Sequence, residues 1–327
     1  MSSYRLRNWP KYERALEARG SLTLWLTPET VTHWRAMAPP SRSARRGHRR
    51  VYSDEAITCL LTLRELYRLG LRETVGLTRS LFALLHLALP VPDHTTLSRR
   101  RARLRVPLPV RAVSAAEAPL HLVVDSTGLA LVGEGSWQRH RCRGGARPAW
   151  TRHYLRVHLG VDEATGELRA LGVSGMAVTD GEMLPRLLAA ERSPLRQVTG
   201  DGAYDEWRCY EAVAARPERP RAVFPPPRPR RGPKRARIKQ HGNRRRAPLD
   251  RDQHIRRIRR VGRRRWKEEV GYHRRSLSET AVSRFKRTFG ERLTARTFAG
   301  QCAEVFLRGA LLNRLLWLGR PESYCRA

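Results

Sequence analysis

Acidic residues are scarce in this sequence: its 327 residues include 30 Asp and Glu against 65 Lys and Arg, a formal net charge of +35. That imbalance argues against the near-neutral surface of an ordinary cytosolic enzyme. It predicts a polyanionic partner, because a basic protein that binds nucleic acid releases the counterions condensed on the phosphates. Arginine far outnumbers lysine, so a coding bias is an alternative source of part of the excess.

Paired cysteines and long apolar runs are also missing. The five cysteines are scattered and include no CxxC pair, which argues against a zinc site and against a disulfide framework. The most apolar stretch, near the C-terminus, is interrupted by Glu304, Arg308 and Arg314, and Met1 to Pro10 is polar and basic. We therefore expect neither a membrane span nor a signal peptide, and we expect a cytoplasmic, nucleoid-associated protein.

Residues 1–105 are predicted to form a helical region. Ser53 is the expected N-cap of a helix that reaches about Leu69, and Gly70 is the expected end of that helix. A second helix is predicted over 72–87.

A third helix is expected to begin after Asp93, and it contains the basic run Arg99, Arg100 and Arg101. Three short helices with a basic last one resemble a helix-turn-helix. The three arginines are therefore candidate DNA-binding residues, although small helical domains with other roles have the same pattern.

The pattern changes to β after residues 106–120, an Ala- and Pro-rich linker. Short apolar runs bounded by turn residues predict strands at 121–124, 154–161, 167–173, from Gln197 onward, and at 221–224. Helices are predicted at 182–190, at 206–215 and around Glu279. This order of strands and helices is that of the RNase H-like fold, an α/β fold with a mixed sheet flanked by helices, although many α/β domains share it.

Pro225 to Lys267 forms a separate basic block. Positions 228–267 hold 19 Lys and Arg against two acids, Asp250 and Asp252, a net +17. A segment this charged does not form a core of its own, so it is either a solvated loop or an arm that binds the DNA backbone. Its place between the last predicted strand and the helix of Glu279 favours the arm.

Two aspartates follow apolar strands. Asp125 comes directly after the run from His121 to Val124, and Asp201 follows the strand that begins at Gln197. Cleavage of a phosphodiester needs an activated nucleophilic oxygen and a stabilised leaving oxygen, which two metal ions ~4 Å apart provide. Magnesium prefers carboxylate oxygens held on rigid elements, so both aspartates are candidate metal ligands. The alternative is that each aspartate caps the next turn.

A third acid belongs to a spaced group of polar residues. The spacing Y-x2-R-x3-E-x6-K is that of Tyr272, Arg275, Glu279 and Lys286. At ~100° per residue these positions span about 60° of one α-helical face, from which all four side chains would meet one DNA backbone. The alternative is a capping box with Ser276 as N-cap, which would leave Tyr272 and Arg275 in the preceding loop.

Several short motifs occur in order along nearly the whole chain. They are Asn8-Trp9-Pro10, Arg19 to Leu26, Asp125-Ser126-Thr127-Gly128, Gly133-Glu134-Gly135, Val161 to Glu167, Gly200 to Asp205 and Gly271 to Ala281. The last motif begins the Y-R-E-K spacing. Together they resemble the DDE transposases of bacterial insertion sequences, and most of all the branch close to insertion sequence family five.

That resemblance implies an enzyme in which Asp125, Asp201 and Glu279 are the catalytic, metal-binding triad. The implied cofactors are Mg²⁺ or Mn²⁺, two ions that activate water to nick a strand and free a 3′-hydroxyl, which then attacks target DNA. Residues implied to hold the DNA backbone are Tyr272, Arg275 and Lys286. The implied partners are double-stranded transposon ends and target DNA, bound by a dimer or a larger assembly, with no membrane and no small-molecule substrate.

The predicted domains follow from these assignments. Residues 1–105 form the DNA-binding region and 106–120 the linker. Residues 121–318 form the catalytic domain with its basic arm at 225–267, and 319–327 form a tail. Asp180 and Asp205 are expected to be turn or supporting residues, and His153 and His158 strand positions.

Two other functions remain open. One is a metal-dependent nuclease or resolvase on the same fold, against which the Y-R-E-K spacing argues. The other is a non-catalytic, domesticated DNA-binding protein or a basic ribonucleoprotein component, for which the three acids would be incidental.

Overall fold

The computed structural model describes residues 4–36, 51–112, 118–131, 154–226 and 250–325. Parts of the predicted features lie outside these ranges, namely linker residues 113–117, Gly133-Glu134-Gly135, His153 and residues 227–249 of the basic block. The chain divides into two compact units: Met1–Pro109 with Thr288–Ala327, and Val110–Arg287.

The described α-helices are α1 (Trp9–Arg19), α2 (Pro28–Thr32), α3 (Asp54–Tyr67), α4 (Leu71–Leu84), α5 (His94–Arg101), α6 (Asp180–Ala190), α7 (Trp207–Ala214), α8 (Asp250–Val261), α9 (Arg263–Glu269), α10 (Ser276–Phe289) and α11 (Phe298–Leu318). The described strands are β1 (Tyr4–Leu6), β2 (Leu120–Leu131), β3 (Tyr154–Asp162), β4 (Leu168–Gly175), β5 (Leu195–Thr199), β6 (Arg221–Val223), β7 (Arg292–Leu293) and β8 (Ser323–Cys325).

Side-chain caps set where helices of the first unit begin. Ser53 and Asp93 each accept a hydrogen bond from the backbone amide three residues on, at 2.9 and 2.8 Å, and they start α3 and α5 as predicted. α3 ends before Arg68, which takes a left-handed φ of 54°. Gly70 is the N-cap of α4 instead of the end of α3, and α4 ends at Leu84, short of the predicted residue 87.

The C-terminal part of the chain belongs to this first unit. β1 pairs antiparallel with β8, with Arg5 opposite Tyr324. α11 lies in the same unit. Several charged residues of α11 have their partners on α3 and α5.

A buried charge network joins α11 to these two helices. Arg308 donates hydrogen bonds to Glu65 Oε2 at 2.8 Å and to Glu304 Oε1 at 2.7 Å, and Arg101 lies 3.6 Å from Glu304. Burial raises the pKa of the Glu65 carboxyl and so does Glu304, while Arg308 and Arg64 lower it. Buried charges of this kind are stable only while they are paired.

Replacing Arg308 with Ala is expected to lower the free energy of unfolding by about 3–5 kcal/mol, because Glu65 and Glu304 would remain as neighbouring buried carboxylates. Arg314 is exposed on the same helix, so Arg314→Ala is the matched control, with an expected change within about 0.5 kcal/mol. Denaturant unfolding followed by circular dichroism measures both. Equal, small losses would show that the network does not stabilise the helical unit.

The second unit is built on a mixed sheet with the strand order β4-β3-β2-β5-β6. β3 pairs antiparallel with β2 and β4, and the parallel pairs are β2 with β5 and β5 with β6. Gly166 takes a φ of 73° in the β3–β4 turn, where the sequence predicts it. The order of strands and helices is that of an RNase H-like α/β core, which confirms the predicted fold class.

Apolar side chains of α6 and α7 cover one face of this sheet. Leu184, Tyr210 and Val213 belong to one buried cluster with Val124 of β2 and Val198 of β5. Close packing of this kind fixes the position of the backbone. The strand segments that lead to Asp125 and Asp201 are therefore held rigidly.

His121, at the start of β2, is buried among polar partners. Its Nε2 atom lies 2.8 Å from Thr199 Oγ1 and 3.2 Å from Gln197 Nε2. Burial lowers the pKa of His121 to about 4, despite the opposing charge of Glu163. The ring is therefore neutral at pH 7.

The stability of the second unit is expected to fall as the pH drops from about 6.5 toward 4, because the unfolded chain then binds a proton on His121 that the folded chain does not. His121→Gln is expected to remove up to ~3 kcal/mol of this loss. Urea unfolding at pH 7 and pH 4.5 measures the difference. A variant that loses stability as steeply as the wild type would contradict this assignment.

Candidate active site

The register of the central parallel strands brings Asp125 and Asp201 to the same end of one ladder. The ladder between β2 and β5 ends with Val123 opposite Thr199, and each aspartate lies two residues beyond this pair. β5 ends there as predicted, but β2 continues along β3 with Asp125 opposite Leu159. Asp125 thus lies within a strand and not at its end. Asp201 lies in the turn just beyond the end of β5, which is the strand beside β2.

The Asp125 carboxylate is partly buried and held by hydrogen bonds. Ser278 Oγ donates to its Oδ2 atom at 2.9 Å, and the Ser126 amide donates to Oδ1 at 2.9 Å. Burial raises the pKa of Asp125, and Asp201 adds to the rise, while Ser278, Ser126 and Arg275 lower it. Burial thus disfavours the charged form of Asp125, and a nearby positive charge favours it.

Asp201 lies in a turn that is anchored in the core. Its Oδ1 atom accepts a hydrogen bond from the Ala203 amide at 2.9 Å and starts a 3₁₀ helix over Gly202–Tyr204. The Tyr204 ring stacks on Phe224 with centroids 5.8 Å apart. The Asp201 backbone is therefore fixed from both sides, by β5 before it and by Tyr204 after it.

The Y-R-E-K residues lie on two helical segments. Gly271 takes a left-handed φ of 64°, and a 3₁₀ helix over Tyr272–Arg275 follows it, before α10 begins at Ser276. The prediction that all four residues share one α-helical face is wrong, because Tyr272 and Arg275 lie in the 3₁₀ helix that precedes α10. Glu279 lies in the first turn of α10 and Lys286 two turns further on, half-buried.

Arg275 joins two of the three predicted triad acids. Its guanidinium forms an ion pair with Glu279 and lies 3.6 Å from Asp125 Oδ2. Burial lowers the pKa of Arg275, but Tyr272, Glu279, Asp125 and Asp201 together raise it above its usual value. The fold therefore brings all three acids into the electrostatic surroundings of one guanidinium.

A cationic groove opens beside Glu279. This cavity of ≈ 570 Å³ is lined by Arg263, Arg264, Lys267, Glu268, Tyr272, His273, Arg275, Ser276 and Glu279. Lys267 Nζ lies 5.0 Å from the centre of the Tyr272 ring, and burial raises the pKa of the Tyr272 phenol. The phenol is therefore neutral at pH 7 and can donate a hydrogen bond.

The three predicted arginines of α5 have different surroundings. Arg99 is exposed, Arg100 pairs with Asp54, and Arg101 is buried beside Glu304. Arg101 is thus part of the buried charge network and not of the surface. Of the three, Arg99 has the exposure that a DNA contact requires.

Asp205, Asp180 and His158 contact neighbouring residues of the fold. Asp205 accepts hydrogen bonds from the Tyr210 hydroxyl at 2.9 Å and from Arg251 at 2.8 Å, which ties the turn after Asp201 to α8. His158 is buried in β3, with its Nδ1 atom 3.2 Å from Asp180.

Sequence reasoning missed Ser278. This buried residue donates to Asp125, and its hydroxyl also lies 2.8 Å from the carbonyl of Arg275. It therefore links β2 to the start of α10. The available signal was its place directly before Glu279, within the last of the ordered motifs.

The acids beside Arg275 are of the ligand type that a divalent cation prefers. Mg²⁺ and Mn²⁺ take carboxylate oxygens as ligands, and the position of Arg275 between Asp125 and Glu279 marks a place where positive charge is favoured. Within the described ranges, no three His, Cys, Asp or Glu side chains are grouped closely enough to hold a metal ion.

Two family models match this chain, and both describe a transposase DDE domain. One covers residues 17–134 and the other residues 117–314, more than half of the chain. The chain belongs to the DDE transposase family. This finding confirms the family resemblance, while the narrower assignment to insertion sequence family five stays a prediction. No solved structure matches this transposase.

In the part of the chain that the structure describes, no helix is both long enough and apolar enough to cross a bilayer.

Gly200→Ala is expected to destabilise the transposase by about 1–3 kcal/mol through overpacking. A Cβ at Gly200 would lie 2.5 Å from Tyr204 Cδ2 and 3.0 Å from Val124 Cγ2, and both side chains are buried. A Cβ at Gly175 would meet no described atom within 4 Å, so Gly175→Ala is the control, with a change within about 0.5 kcal/mol. Thermal unfolding compares the two, and equal midpoints would contradict the tight approach at Gly200.

Proposed function

We propose that this transposase binds the terminal inverted repeats of an insertion sequence, cleaves the DNA there in a metal-dependent reaction and joins the freed end to target DNA. The observation that carries the proposal is the position of Arg275, which pairs with Glu279 and lies 3.6 Å from Asp125. Asp125 in β2 and Asp201 in the turn after β5 each lie two residues beyond the last pair of the parallel ladder. Ser278 attaches the helix of Glu279 to Asp125.

The proposed catalytic residues are Asp125, Asp201 and Glu279, acting as metal ligands. When bound, two Mg²⁺ or Mn²⁺ ions supply Lewis acidity toward the attacking and leaving oxygens of the phosphodiester. The two aspartates are rigid because their strands are packed in the core, and Ser278 fixes the orientation of Asp125 Oδ2. Rigid ligands suit a reaction in which the attacking oxygen, phosphorus and leaving oxygen must be in line.

Tyr272, Arg275 and Lys286 are proposed to hold the DNA backbone at the transposon end. A guanidinium donates two parallel hydrogen bonds to a phosphate, and the neutral Tyr272 phenol donates one. These residues position the scissile phosphate and do not react with it. The cationic lining of the groove supports this assignment for Tyr272 and Arg275, and the family resemblance supports it for Lys286.

Further DNA contacts are proposed for the basic arm at 225–267 and for Arg99. In the described part of the arm, Arg264 and Arg265 are highly exposed. Such residues bind phosphates without reading the base sequence. A dimer or a larger assembly on DNA is proposed, because transposases of this family bridge two DNA ends.

The test is cleavage of a labelled duplex that carries the element's own end, in Mg²⁺ and in EDTA. The wild type is expected to nick the duplex in Mg²⁺ alone. Asp125→Ala, Asp201→Ala and Glu279→Ala are each expected to lose at least ~10²-fold in rate while DNA binding persists, since each removes a metal ligand.

Glu268→Ala is the matched control, because Glu268 is an exposed acid that lines the same groove. Its cleavage rate is expected to stay near that of the wild type. A wild type that binds DNA but cuts it with neither Mg²⁺ nor Mn²⁺ would favour the non-catalytic DNA-binding protein. Cleavage that survives in the triad variants would overturn the assignment of the acids.

A further inference from the structure

Arg275 forms ion pairs with two acids that are proposed to bind metal. It pairs with Glu279 and lies 3.6 Å from Asp125. One guanidinium thus supplies positive charge to two carboxylates in the DNA-free chain. A metal ion at the same acids would meet the same guanidinium, and the two cations would repel each other.

The same side chain also lines the cationic groove. Arg263, Arg264, Lys267 and His273 are its neighbours there, and a DNA phosphate is the anion that such a lining attracts. Arg275 therefore has a second partner available once DNA enters the groove. Its side chain is 23% exposed, which leaves it access to that partner.

We propose that Arg275 is an exchangeable counterion that couples DNA binding to metal binding. In the free protein it neutralises Asp125 and Glu279, and it leaves them for a phosphate when DNA occupies the groove. The carboxylates are then open to a divalent cation. This inference rests on the proposed function, in which the same acids bind metal.

Thermodynamic linkage makes the coupling reciprocal. If DNA draws Arg275 away from the acids and so tightens metal binding, then metal must tighten DNA binding by the same factor. The coupling limits strong metal binding to the DNA-bound protein. Residues that position the phosphate would then also control the metal site.

Arg274 is the matched control for the loss of one positive charge. It is the neighbouring residue on the same 3₁₀ helix, but it pairs with Glu163 instead of the triad acids. Removing either arginine changes the net charge of the protein equally. A general electrostatic effect on cation affinity would therefore appear in both variants.

The experiment measures Mn²⁺ binding by electron paramagnetic resonance, with and without a duplex of random sequence that is not a cleavage substrate. The variants are Arg275→Ala, Arg275→Gln and Arg274→Ala, each checked for folding by its unfolding midpoint. An Asp125→Asn, Glu279→Gln double variant gives the Mn²⁺ bound elsewhere on the protein or on the DNA. That background is subtracted from every measurement.

Without DNA, both Arg275 variants are expected to bind triad-dependent Mn²⁺ at least about fivefold more tightly than the wild type, the lower end of typical coupling. Arg274→Ala is expected to bind as the wild type does. DNA is expected to raise the affinity of the wild type by a similar factor and to leave that of the Arg275 variants nearly unchanged.

Equal Mn²⁺ affinity of the wild type and the Arg275 variants without DNA would overturn the inference, and so would an equal gain in Arg274→Ala. Either result would leave the proposed function standing, because cleavage of the element's own end is measured separately. Mn²⁺ binding that never depends on Asp125 and Glu279 would overturn both.

Discussion

The parallel pairing of β2 with β5 is the constraint on which the candidate site depends. Backbone hydrogen bonds fix Val123 opposite Thr199, and this register sets where Asp125 in β2 and Asp201 in the turn after β5 begin their approach to the site. A slip of one residue in β2 would turn Asp125 toward the other face of the sheet. The buried residues that precede the acids, such as Val124 and Val198, resist such a slip because they fill the core under α6 and α7.

The scarcity of acids gives the second constraint, since arginine is abundant and most buried acids are paired with it. In the first unit Arg308 forms ion pairs with Glu65 and Glu304. In the second unit Arg169 forms an ion pair with Glu191 at 2.6 Å. These pairs satisfy charges that would otherwise be costly to bury. Arg275 follows the same pattern, but it lies beside a cationic groove. Arginine–carboxylate pairs stabilise the fold elsewhere. At Arg275 we propose that the same kind of pair is exchanged for a pair with a DNA phosphate.

Local signals in the sequence predicted local structure well. Ser53 and Asp93 are helix caps, Gly166 is in the β3–β4 turn, and the order of strands and helices led to the correct fold class. These features depend on neighbours within a few residues, so a sequence window contains their causes. The extension of β2 past Asp125 was missed because it depends on pairing with β3, which begins about 30 residues later in the chain.

The sequence by itself determined the strongly basic character, the family and the identity of the candidate acids, because motifs and composition are properties of the chain alone. Tertiary structure decided which of these residues meet. It placed Arg101 in a buried charge network and divided the Y-R-E-K residues between two helical segments. It also brought Ser278 and Arg275 into contact with Asp125. Contacts of this kind join residues up to about 200 positions apart, and only strand register and core packing bring such residues together.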